Sequence, residues 1–152
     1  MAAINDRNIS GDRLYIPALA PLYSALSPFV WFLMRALAGG FLAIHGWPKI
    51  LDPMARVGMV ETLGFYPGVI WAPLLAITEF FGGLLILFGL FTRPAAIAAT
   101  IVLLVTVYFH WIVQGEGLMG AEKSILWAAI TLFFAVRGGG DWSLDQRMAK
   151  TF

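Results

Sequence analysis

Five side chains in this sequence combine reactive chemistry with an unusual setting: His45, Lys49, Glu79, His110 and Glu122. Glu79 stands about ten residues inside an apolar run long enough to cross a bilayer. A carboxylate near the middle of a membrane costs about 2.5–3.5 kcal/mol, so it normally has a partner or a task. A ligand held between helices needs hydrogen-bond donors or proton acceptors placed in an apolar slot. His45, His110 and Glu79 offer such groups, with Glu79 or Glu122 passing protons to the outer face. His45 and His110 are also the only histidines in the chain, and hence a candidate axial pair for a b-type haem if they face one another; no other haem signal accompanies them. A two-His, two-carboxylate metal site has suitable donors but lacks the Glu-x-x-His pairing of carboxylate bundles, so no metal is assigned.

Each of these residues also has a plainer reading. Glu79 and either histidine could hold helices together by hydrogen bonds. Glu122-Lys123 fits an acid at a helix start beside a solvated lysine. Arg35 is expected to snorkel to the headgroups, and Arg93 and Arg137 to meet lipid phosphates or helix ends.

The elements that must position these groups follow from composition and periodicity. The chain is 60% hydrophobic and 12% charged, whereas soluble domains are about 45–50% apolar and about 25% charged. Its net charge of +1 and the lack of a basic run give no case for nucleic acid. With no cysteine, disulfides, thiol redox chemistry, iron–sulfur clusters and thiolate zinc are excluded. Met1 to Arg13 is polar and no apolar segment follows it directly, so no cleavable signal is expected.

Four spans are predicted, at about 29–47, 69–90, 94–113 and 121–137. Residues 1–28, broken by Pro17, Pro21 and Pro28, read as an interfacial arm rather than one helix, and Pro48 closes the first span. Asp52-Pro53 opens a short helix lying on the membrane surface in the first outer loop. Gly39, Gly46, Gly82, Gly83 and Gly89 mark faces where helices approach closely. The predicted fold is an all-α, four-helix up-and-down membrane bundle with a polar tail.

Both termini then share one side. That side carries Arg7, Arg13, Arg93, Arg137, Arg147 and Lys150, against Lys49, Arg56 and Lys123 opposite. The bias places the termini in the cytoplasm. At a rise of about 1.5 Å per residue, His45, His110, Glu122, Lys49 and Glu79 are drawn toward the outer half of the bundle.

Three motifs resemble the DoxX family of small four-span membrane proteins. The first is Arg35…Gly40-Phe41…His45-Gly46-Trp47-Pro48-Lys49-Ile50. The second is Glu79-x-x-Gly82-Gly83-Leu84-Leu85-x-Leu87-x-Gly89-Leu90-x-Thr92-Arg93-x-Ala95-Ala96. The third runs from Gly138 to Trp142-Ser143-Leu144-Asp145, with Gly139 where a proline is often found. The resemblance implies a subunit of an oxidoreductase or respiratory assembly in a bacterial inner membrane, some relatives being linked to quinone. The expected partners are lipids and a larger membrane complex or further copies of the chain. A non-catalytic packing subunit is the alternative. Roles in cysteine-dependent maturation are excluded by the missing cysteines.

Overall fold

A computed structural model describes residues 14–148. The polar start at 1–13, the last residues 149–152, and with them Arg7, Arg13 and Lys150 of the charge comparison, lie outside the described residues. The described chain is built from α1 (Ala20–Leu51), a short α2 (Val57–Thr62), α3 (Gly68–Phe88), α4 (Thr92–Val113) and α5 (Gly117–Arg137). The four longer helices are each long and apolar enough to cross a membrane. The protein is an all-α integral membrane protein.

The first helix departs from expectation at both ends. It begins at Ala20, inside the stretch read as an irregular arm, and continues through Pro28 and Pro48 to Leu51. Pro21 lies in the first turn, where backbone N–H groups have no intrahelical acceptor to lose. Pro28 and Pro48 each remove one hydrogen bond, and the residues four positions earlier, Ser24 and Ile44, are exposed. The extra turn beyond Pro48 matters, because it carries Lys49 round to α3.

Helices α1 and α3 touch through small residues. Gly39, Ala43 and Gly46, spaced four and three apart, lie buried along one stripe of α1. An added Cβ on Gly39 would sit 2.6 Å from the Gly83 carbonyl oxygen, and one on Gly46 would sit 2.7 Å from the Glu79 carbonyl carbon. Gly83 is equally closed, with the Gly39 carbonyl oxygen 2.8 Å from its Cβ position. Gly82 is different: a Cβ there meets only Thr78 Cγ2 at 3.9 Å, so it does not form part of the expected contact face. The cause is a π-helical turn at Thr78–Gly82, which breaks the regular period assumed for that face.

At the opposite end of the bundle, the chain after α5 folds back under the α3–α4 turn. Gly89 ends α3 with φ at 69°, a left-handed conformation that glycine adopts without cost, and its Cβ position is filled by Arg35 and Ser143. Phe91 and Thr92 begin α4 without an intrahelical acceptor. Their N–H groups donate to Asp145 Oδ1 and Oδ2 at 2.7 and 3.0 Å, a carboxylate cap suited to a positive helix end.

The same segment overturns the expectation for Arg35. Instead of snorkelling, Arg35 is only 1% exposed and donates from Nη2 to the Trp142 carbonyl at 2.6 Å. It has no route to the headgroups because residues 138–147 cover it. Leu42, Ile86, Ala95, Ala96, Ala99 and Phe134 fill the core. Thr100 and Thr131, 2.8 Å apart between their hydroxyl oxygens, join α4 to α5.

Candidate functional site

The site begins with a turn of unusual pitch. α3 is α-helical to Ile77, π-helical over Thr78–Gly82, and α-helical again from Gly83. Glu79 therefore sits on a wider turn, about three turns in from the start of α3. α4 repeats the device, turning from α to π at Phe109–Val113, and His110 lies on that segment. Such π turns are frequent where a side chain must be aimed out of the regular helical register.

Glu79 is 5% exposed, and its Oε2 pairs with the Lys49 ammonium from the last turn of α1. This pairing places both charges on one wall of a cavity of about 490 Å³. The end of α1, α2, α3 and α4 enclose it. Its apolar walls include Leu74, Ile101 and Val105, and Leu74 and Ile101 also belong to the exposed outer surface of the spans. The cavity therefore reaches the flank of the bundle that faces lipid. Its polar lining is Lys49, Arg56, Thr78, Glu79, Thr106 and His110.

His110 lines this cavity, and its Nδ1 lies 2.8 Å from Glu116 Oε2. Glu116 was not anticipated. It follows the Gln114-Gly115 turn, whose return of the chain to the end of α4 was the signal available in the sequence: the Glu116 N–H donates to the His110 carbonyl at 3.0 Å. Arg56 was read only as a loop charge, yet it lines the cavity from beside α2.

Two residues proposed for the cluster are not in it. His45 is exposed and does not line the cavity. On α1 the stripe facing α3 runs through Gly39 and Gly46; Lys49 lies about 60° from Gly46 and reaches back to α3 along its long side chain, whereas His45 lies about 100° from Gly46. Glu122 is also exposed. The helix carrying it begins at Gly117 rather than 121, so Glu122 falls in the second turn and points away from the cavity. The two histidines needed for axial haem ligation are thus not brought together. Among the described residues, no three His, Asp or Glu side chains converge as metal ligands.

The other arginines occupy the opposite end. Arg137, the last residue of α5, places its guanidinium over the Trp31 ring with 5.7 Å to the centroid. Arg93 lies exposed in the first turn of α4. Trp31 packs against Phe133 and donates from Nε1 to the Gly138 carbonyl at 3.3 Å.

Comparison with known proteins agrees with this architecture. A protein of Haemophilus influenzae known only as uncharacterized is 27% identical over 81% of this chain and 93% of its own length. The inner membrane protein YqjF of Escherichia coli is 34% identical over 69% of this chain and 81% of its own. The inner membrane protein YphA of the same organism is 26% identical over 82% and 94%. No solved structure matches the chain. The DoxX family profile matches residues 30–111, which hold Lys49, Glu79, His110 and the π turn at Thr78–Gly82. The chain belongs to the DoxX family.

Proposed function

We propose that this protein is a membrane subunit of an oxidoreductase or respiratory assembly, and that it contacts quinone in the cavity beside the Lys49–Glu79 pair. The observation that carries this reading is the pair itself, buried Glu79 joined to a partly exposed Lys49 in the wall of an apolar cavity that reaches the lipid flank. The Lys49 ammonium is a donor for one quinone carbonyl. His110, lining the same cavity, is a donor or acceptor for a second polar group on the head. Leu74, Ile101 and Val105 supply the apolar wall along which an isoprenoid tail leaves toward lipid.

A packing subunit with no ligand is the competing reading. That role would have Glu79 sealed against a neighbouring helix, and the cavity beside it favours a ligand-contacting role instead. The exposed apolar surfaces of the four spans suit lipid and a larger membrane complex or a second copy. The first turns of α1, with Leu22, Tyr23 and Leu26 exposed, suit the headgroup layer. The inner membrane of a bacterium, with both termini cytoplasmic, is the location that the charge distribution and the named relatives support.

Thermal unfolding of the detergent-purified protein with decylubiquinone tests the site. The quinone raises the transition temperature of the wild type and leaves that of Lys49→Met unchanged. An absent shift in the wild type counts against the reading.

A further inference from the structure

We propose that His110 and Glu116 form the port through which the Lys49–Glu79 pair exchanges protons with the aqueous phase. This rests on the reading of the cavity as a quinone site, where carbonyl reduction and its reversal move protons. Glu79 is 5% exposed and lines the cavity, which gives its carboxyl a path to water.

The ionisable groups lining that cavity come from each element packed around it: Lys49 from α1, Arg56 from beside α2, Glu79 from α3 and His110 from α4. Lys49 is held by Glu79 itself. Arg56 is exposed, but its guanidinium has donors and no acceptor, so it cannot take up a proton to relay. The imidazole can. An imidazole has two ring nitrogens, one able to accept while the other releases.

The geometry divides those two nitrogens between two environments. Nδ1 is engaged by Glu116 Oε2 at 2.8 Å, and the Glu116 side chain is 43% exposed. With Nδ1 so engaged, Nε2 is the nitrogen we assign to the cavity that His110 lines. Between the two ends, the Thr78 and Thr106 hydroxyls supply polar points on the wall for water. The Thr106 hydroxyl donates to the Val102 carbonyl at 3.0 Å, which leaves its oxygen free to accept from such a water. An outward transfer then runs from the Glu79 carboxyl to cavity water, to His110 Nε2, and from the Nδ1–H to the Glu116 carboxylate and bulk water. Each donor loses the proton that its acceptor gains, and the inward transfer is the reverse.

The test uses Lys49→Met, which leaves the Glu79 carboxyl without its counter-cation in the apolar wall. Infrared spectroscopy of Lys49→Met in lipid then follows the carboxylic acid band as H₂O is replaced by D₂O. Adding His110→Phe slows the exchange by about tenfold or more, Glu116→Gln slows it less, and Arg56→Gln leaves it unchanged. Equal rates with and without His110→Phe, or slowing by Arg56→Gln, overturn the port. Lys49→Gln is the second background if Lys49→Met does not assemble. Labelling of Glu79 by a hydrophobic carbodiimide, which consumes a proton, makes the same comparison with Lys49 in place: slower labelling in His110→Phe supports the port and equal labelling overturns it. The decylubiquinone measurement separates the two ideas. A retained thermal shift with equal exchange rates sinks the port alone, whereas slowed exchange without any quinone shift sinks the quinone reading alone.

Discussion

Gly46 of α1 lies directly against the backbone of Glu79 and Phe80 in α3, and that contact lets the lysine three residues later reach the acid. Any side chain at position 46 holds the two helices apart just below the ion pair. Gly46→Val is therefore expected to lose about 1–3 kcal/mol of stability or more. Gly82→Ala, one turn further along α3, should be neutral or gain up to about 1 kcal/mol, since its Cβ finds open space. Denaturant titration in mixed micelles distinguishes two equivalent glycines from this ordered pair.

Removing one charge at the cavity leaves the other buried or forces it to move. Glu79→Gln is expected to cost about 2–4 kcal/mol, at the lower end where Lys49, partly exposed, turns toward water. The double variant Lys49→Met/Glu79→Leu should recover most of that loss and still show no decylubiquinone shift. Recovery of stability together with quinone binding would remove the pair from the site.

The α3–α4 turn depends on a residue more than fifty positions away in sequence. Asp145→Ala deprives the Phe91 and Thr92 N–H groups of their acceptors and should cost about 1–2 kcal/mol. Asp145→Asn keeps an acceptor oxygen and should cost less. Faster hydrogen exchange at Phe91 and Thr92, with α5 amides unaffected, is the local signature to seek.

Arg35 and Gly89 occupy one small volume. Gly89→Ala meets both a left-handed backbone and the Arg35 guanidinium, so a loss of about 1–3 kcal/mol is expected. Arg35→Ala removes the hydrogen bond to the Trp142 carbonyl and should speed tryptic cleavage after Arg147. Equal cleavage rates in the two proteins would mean that Arg35 does not hold the segment.

Much of this was legible in the sequence. The spans follow from apolar length, and the same axial measure draws Lys49, His110 and Glu79 toward the outer half of the bundle; the direct pairing of Lys49 with Glu79 is a finding of the structure. Azimuth was harder. His45 and Lys49 were placed on one face by spacing, but the face that matters is set by where Gly39 and Gly46 meet α3, and His45 lies beside it. Glu122 was misplaced because Gly117 and Gly120 read as a turn, whereas α5 already begins at Gly117. Arg35 was misread for a different reason: its cover comes from Trp142, 107 residues later. No local pattern carries such a return.

That return also imposes an order on biosynthesis. The acceptor for the first amides of α4 is Asp145, and the plug over Arg35 is Trp142 and its neighbours. The ribosome must therefore pass Trp142 and Asp145 before the central hairpin is sealed. Until then, a bare guanidinium and an uncapped helix start are left on the nascent chain. Insertion of the spans and locking of the bundle are separate events, and the second waits for residues synthesised after all four spans.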